Sequence, residues 1–162
     1  MNIILVMGQA GSGKTTFAEK LVNELIGRDY PVAWLNADDV RAEFDDWDFS
    51  LEGRHRAAKR MHELAVDLDQ EFVIIDMICP TKETRSLVDS NFIIFMDTIQ
   101  KGRFEDTNKM FERPYTAYVD YHVAEWFDDT HQQLVPIVER WMKKRSTTTV
   151  GYAAWKMEQD DV

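Results

Sequence analysis

Four uninterrupted apolar runs punctuate the chain, at residues 3–7, 31–35, 72–75 and 92–96, and a weaker fifth spans 118–123. Runs without polar alternation mark strands buried on both faces of a parallel sheet. Between them the period changes. Ala57, Ala58, Met61, Leu64, Ala65 and Leu68 fall at steps of three and four within 54–69, one apolar stripe on an otherwise charged helix. Phe17, Ala18, Leu21, Val22 and Leu25 predict a second helix over 14–26, and 135–144 reads as a last one, broken by 145–151. Strands alternating with helices imply right-handed βαβ units. The expected fold is therefore α/β, with three layers: a mostly parallel five-stranded sheet with helices on both faces. One domain is predicted over 1–150, followed by a C-terminal tail at 151–162 whose acidic end after Met157 reads as frayed. Ligands of such sheets sit beyond the carboxyl ends of the strands, here at residues 8 onward, 36–39, 76–80 and 97–98.

Composition narrows the classes. The 162 residues carry 19 Lys+Arg against 29 Asp+Glu, a net charge of −10. That balance argues against a general binder of nucleic acid or anionic membrane, which needs a basic surface. Cys79 is the only cysteine, so no intramolecular disulfide and no C-x-x-C site can form. The chain opens without a basic, signal-like segment, and no apolar run nears the roughly 20 residues of a membrane span. A cytoplasmic protein is the expectation. The four histidines, His55, His62, His122 and His131, lack metal-ligand spacing and read as surface or packing residues. The pairs Trp126-Phe127 and Trp141-Met142 read as packing groups, and Trp155 as a docking residue of the tail.

The strongest local signal is Gly8-Gln9-Ala10-Gly11-Ser12-Gly13-Lys14-Thr15, which fits G-x-x-x-x-G-K-(S/T) between a predicted buried strand and an amphipathic helix. Glycines let successive N–H groups turn inward on a phosphate, and the helix adds its positive end. Gly8, Ala10, Gly11, Ser12, Gly13, Lys14, Thr15 and Thr16 are thus candidate binders of ATP. Lys14 would neutralise the transferring phosphoryl group and Thr15 would ligate Mg2+. The bland alternative is a glycine-rich turn. Asp76 ends the run 72–75 in the manner of a carboxylate supporting Mg2+. An N-K-x-D base-reading segment is absent, which favours small-molecule kinases over switch GTPases.

Past the second strand the chain reads Leu35-Asn36-Ala37-Asp38-Asp39-Val40-Arg41 and resembles the adenylylsulfate (APS) kinase family, which carries L-D-G-D-x-V-R there. The resemblance implies that Asp38 acts on the acceptor hydroxyl and that Arg41 binds substrate. Asp38 also reads as the cap of a helix starting at Asp39. Phe49-Ser50-Leu51-Glu52-Gly53-Arg54 is similar to the family's F-S-x-x-D-R. It implies Phe49 as a base-stacking aromatic and Arg54 as a nucleotide contact, against core packing for Phe49 and an N-cap role for Ser50. Ile78-Cys79-Pro80 resembles the family's I-S-P, followed by Lys82 and Arg85, which read equally as acceptor contacts or surface charge.

Departures are visible as well. Asn36 and Ala37 replace Asp-Gly, Ala57 stands for an asparagine, Thr81 for a second stacking aromatic, Cys79 for a serine, and Asp76 for a small residue. After Asp97-Thr98 the lid, about 99–114, looks shorter than the family's. Arg103, then Lys109 and Arg113, are its candidate cations for the phosphoryl group. The segment Asp106-Thr107-Asn108 is similar to short relatives of the same family, some of them viral, and no role follows from it. The resemblance implies an ATP- and Mg2+-dependent kinase acting on the 3′-hydroxyl of adenylyl sulfate, with a small nucleotide as partner and a homodimer as assembly. Two alternatives stand beside it. One is a kinase for another hydroxyl, on a nucleoside, a hydroxymethylated base in DNA or a sugar; the other is a nucleotide-binding interaction module without turnover.

Overall fold

The computed structural model describes residues 1–125 and 129–144. The chain divides into two compact units, Met1–Phe127 and Asp128–Val162, whereas the sequence reading runs one domain to 150. The second unit is described as a helix over 130–144 with Leu134, Val135 and Val138 buried. It begins five residues before the predicted start. The predicted break at 145–151, the tail, Trp155 and the pair Trp126-Phe127 lie outside the described residues.

The first unit is built on a five-stranded sheet in the order β2-β3-β1-β4-β5. Its strands are β1 (Asn2–Met7), β2 (Val32–Asn36), β3 (Phe72–Asp76), β4 (Phe92–Met96) and β5 (Tyr121–Val123). Every pairing is parallel, so the mixed edge allowed by the sequence does not occur among the described strands. The helices are α1 (Lys14–Gly27), α2 (Ala37–Phe44), α3 (Leu51–Leu68), α4 (Lys82–Val88) and α5 (Glu105–Met110).

The apolar runs are continuous because both faces of the sheet are covered. On one face Ile3, Leu5, Met7, Val73, Ile75 and Phe95 form a cluster with Ala57, Ala58, Met61 and Ala65 of α3 and Val88 of α4. Ile4, Val6, Phe72 and Ile74 alternate with these, and strand geometry turns them to the other side. There α1 lies against β1, β2 and β3, with Phe17, Ala18, Leu21 and Leu25 fully buried. Each such large apolar side chain contributes about 1.5–3 kcal/mol relative to an exposed one.

One helix start differs from the sequence reading and another agrees with it. Asn36, not Asp38, caps α2: its side chain accepts from the Asp39 N–H at 3.0 Å, so the helix begins at Ala37 and the Asp38 carboxylate is released from capping. Ser50 caps α3 as read, accepting from the Gly53 N–H at 3.1 Å. With the cap at Ser50, helical geometry starts at Leu51, three residues before the segment over which the apolar stripe was counted.

Candidate functional site

The site starts from the turn between β1 and α1. Gly8, Gly11 and Gly13 hold φ of +151°, +89° and +95°, values that L side chains rarely adopt. A Cβ on Gly8 would stand 2.5 Å from the Met96 carbonyl oxygen, so only glycine lets the turn cross the end of β4. Thr98 Oγ1 donates to the Ser12 carbonyl at 2.8 Å, tying the Asp97-Thr98 pair to the loop wall. Lys14, buried, donates from Nζ to the Gln9 carbonyl at 3.0 Å. Burial pushes its pKa down, opposed by the negative charges of Asp76 and Asp38.

Next to the loop, β2 and β3 end in register at Asn36 and Asp76. Asp76 is 2% exposed. Its Oδ2 accepts from Thr15 Oγ1 at 2.8 Å and from Asn36 Nδ2 at 2.8 Å. Burial raises the Asp76 pKa, and those two hydrogen bonds and Lys14 oppose the rise.

A cavity of about 860 Å³ opens above this edge. Its floor comes from Ala10, Gly11, Gly13, Lys14, Thr15 and Thr16, and one wall from Asn36, Ala37, Asp38 and Asp76. Trp47, Phe49 and Arg54 supply a second wall, and Arg103, Phe104, Asp106 and Thr107 of the lid a third. Met77 and Ile78 complete it. Phosphate-loop lysine, strand-end carboxylate, lid arginine and exposed aromatic rings therefore share one space. That combination can hold a polyphosphate, receive a proton at Asp38 and stack a planar group.

Several residues singled out by the sequence stand elsewhere. Arg41 is 5% exposed and does not line the cavity. Its Nη1 donates to the Asp46 and Asp48 carbonyls at 3.1 and 3.2 Å, and its guanidinium lies 4.4 Å from the centre of the Phe49 ring. It supports Phe49 from behind, because the turn after α2 brings those carbonyls to it. Cys79 and Pro80 are buried outside the cavity, and Lys82 is exposed away from it. Arg85 donates to the Cys79 and Pro80 carbonyls at 3.2 and 3.3 Å and to the Glu112 carbonyl. It straps the loop after β3 to the end of the lid.

Among the lid cations only Arg103 reaches the cavity. Arg113 is paired in bidentate fashion with Asp97, one contact at 2.6 Å, and His122 Nε2 lies 2.7 Å from the same carboxylate. Burial raises the Asp97 pKa, but those partners outweigh it and hold the group below the ordinary carboxylate range. His122 thus shares the Asp97 carboxylate with Arg113 and stacks on Phe95. Lys109 is exposed, outside the cavity.

The segment 106–108, without a role in the sequence, acquires two. Arg54 Nη2 donates to Thr107 Oγ1 at 2.9 Å while Arg54 Nε donates to the Phe49 carbonyl at 2.9 Å. The Asn108 amide bonds both Gly102 N–H and Gly102 carbonyl, at 2.8 and 2.9 Å. Sequence reasoning also missed Asn36, Trp47 and Phe104 as site residues. Trp47, two positions before Phe49, and Phe104, beside Arg103, were detectable as exposed-aromatic candidates flanking chosen residues.

The parallel order β2-β3-β1-β4-β5, the phosphate loop after the central strand and the cavity at the strand ends define a phosphate-loop protein with the fold of small-molecule kinases. The model of the family described as adenylylsulphate kinase matches residues 1–111. The chain belongs to that family. It is 38% identical over 90 residues to an adenylyl-sulfate kinase of Bacillus licheniformis, covering 54% of this chain and 46% of that protein. It is 34% identical over 108 residues to a probable adenylyl-sulfate kinase of Bacillus subtilis, covering 65% and 51%. The matches thus span about half the length of these curated relatives. Among solved structures, the Mycobacterium tuberculosis APS kinase in complex with AMPPNP and APS superposes with a TM-score of 0.70 at 20% identity, over 85% of this chain and 97% of that one. Among the described residues no helix is long and apolar enough to cross a membrane.

Proposed function

We propose that the protein is a kinase that transfers the γ-phosphoryl group of ATP to the 3′-hydroxyl of adenylyl sulfate. The observation that carries this reading is the shared cavity: Asp38, Lys14 and Arg103 line the same space as the rings of Phe49 and Phe104. Family membership supplies the acceptor. In the reaction Asp38 takes the acceptor hydroxyl proton, and the oxygen forms its bond to the γ-phosphorus as the bond to the β,γ-bridging oxygen breaks. Lys14 and Arg103 stabilise charge on the transferring group. Phe49 and Phe104 orient the acceptor ring, and Arg54, through its bonds to Phe49 and Thr107, holds both walls in place.

The donor set also suits Mg2+. Thr15 and Asp76 are hard oxygen donors in contact, and Mg2+ keeps most of its waters and phosphate oxygens, needing only one or two protein ligands. Held there by Thr15 and Asp76, Mg2+ would supply neutralisation of the negative charge on the donor's phosphates. Self-association as a homodimer is part of the same proposal, tested by sedimentation.

One observation favours a second acceptor. Arg41, Lys82 and Arg85 lie outside the cavity, which leaves Arg54, Arg103 and Lys14 as its cations, so a hydroxyl on a less anionic nucleoside or sugar also fits. ADP release with Mg-ATP decides between them. Adenylyl sulfate is compared with no acceptor, nucleosides, sugars and hydroxymethylated DNA, with Lys14→Ala as control. Lys14-dependent stimulation by adenylyl sulfate alone supports the first reading, and turnover with another acceptor only supports the second. Silence with every acceptor, while ADP binds, defeats both.

A further inference from the structure

Asn36 is engaged on both sides of its amide. The oxygen accepts the Asp39 N–H at 3.0 Å, and the nitrogen donates to Asp76 Oδ2 at 2.8 Å and lies 3.4 Å from Thr15 Oγ1. The amide orientation is dictated by these partners, since a backbone N–H needs an acceptor and a carboxylate needs a donor. One side chain therefore links three parts of the site: the turn of α2 that carries Asp38, the carboxylate at the end of β3, and the hydroxyl of the phosphate loop.

The charge count is as informative as the geometry. Asn36 and Asp76 are register partners on adjacent strands, roughly 4.8 Å apart across the ladder. A carboxylate at both positions would press two anionic oxygens together at the 2.8 Å separation that Asn36 Nδ2 and Asp76 Oδ2 now hold. A carboxylate at neither would leave the Thr15 hydroxyl without the carboxylate acceptor it now uses.

We propose that Asn36 is a positioning residue for the transfer reaction, and that Asn36 and Asp76 form a one-carboxylate pair whose acid and amide are exchangeable between β2 and β3. In the exchanged arrangement an aspartate at 36 still caps α2, a role for which Asp equals Asn. Its second oxygen faces Thr15 and an amide at 76. The inference rests on the Mg-nucleotide reading above but not on the identity of the acceptor.

The test is a double-mutant cycle read by calorimetry as the ratio of ADP affinities with Mg2+ and with EDTA, backed by Mn2+ electron paramagnetic resonance in the presence of ADP. Asp76→Asn removes the acid, and Asn36→Asp adds a second one; each should lose at least fivefold of the Mg2+-dependent tightening. The double variant Asn36→Asp/Asp76→Asn should recover to within threefold of the native ratio, and its turnover should exceed that of either single variant. A purely structural role predicts the opposite, losses that accumulate. ADP binding in EDTA reports whether each variant retains its phosphate loop, and Asn36→Ala, which only deletes the tether, should keep that binding and lose Mg2+ tightening. A double variant no better than the worse single, or a native-like Asn36→Asp, overturns the proposal. Failure of the native chain to bind ADP at all would instead remove the nucleotide reading beneath it.

Discussion

Thr107→Val isolates one bond between the lid and the body. Thr107 is 3% exposed and Arg54 5% exposed, and their 2.9 Å contact joins α5 to α3 across 53 residues of sequence. Valine keeps the shape of threonine and deletes the acceptor. A hydrogen bond from a charged donor contributes about 1.5–3 kcal/mol, and the buried guanidinium N–H left behind carries its own desolvation cost. At about 2 kcal/mol, the fraction of molecules with the lid open rises roughly 30-fold. The other anchors of the lid to the body persist: the Glu112 N–H on the Pro80 carbonyl at 2.7 Å and Arg85 on the Glu112 carbonyl. The opening is therefore local. Hydrogen exchange of the amides at 104–110 should accelerate about 30-fold, and protease should cut the lid faster, while the amides of β1 and β3 keep their protection. An acceptor that uses Phe49 and Phe104 should show a raised KM. Unchanged lid exchange, or a uniform loss of protection across the sheet, would refute the reasoning, because the bond would then hold either nothing or the whole fold.

Three further outcomes follow from the same geometry. Cys79 is fully buried, and burial pushes its thiol up to about 12. It should resist alkylation at pH 8 until the chain unfolds. Because the unfolded thiol ionises near 8.5 and the folded one does not, its contribution to stability is complete below that pH. It is then lost at about 1.4 kcal/mol per pH unit as pH rises toward 12, a slope that Cys79→Ala should remove from alkaline denaturation curves. Gly53→Ala would place a Cβ 2.3 Å from the Asp48 carbonyl oxygen. Since Arg41 and Ser50 pin Asp48, the clash should cost about 2 kcal/mol and lower Tm by roughly 4–8 °C in thermal melts. Arg103→Gln should lower kcat about 100-fold with ADP affinity nearly unchanged, as measured by single-turnover phosphoryl transfer.

Much of this architecture is written locally. The runs at 3–7, 72–75 and 92–96 are strands because nothing polar interrupts them. The stripe from Ala57 to Leu68 is a helix because its period is helical, and the loop from Gly8 to Thr15 can adopt its turn because glycines sit at its positive-φ positions. These signals act over a few residues and survive without knowledge of neighbours. Asp38 was legible as a lining residue of the cavity for a related reason, standing just past the end of β2 where a parallel sheet exposes its ligands, whereas Arg103 was legible only as a cation of the lid that follows β4.

The rest depended on partners far apart in the chain. Arg41 has the charge and position of a substrate ligand, yet the carbonyls of 46 and 48 and the ring of Phe49 claim it. Thr107 has no local pattern, and only the approach of α5 to Arg54 gives it a role. Asn36 shows both levels at once: its type suits the helix cap that the sequence reading gave to Asp38, while its hold on Asp76, 40 residues away, arises from the pairing of β2 with β3. Backbone periodicity determines which elements form. The satisfaction of buried polar groups, which must find partners wherever the sheet brings them, decides which side chains remain free for chemistry.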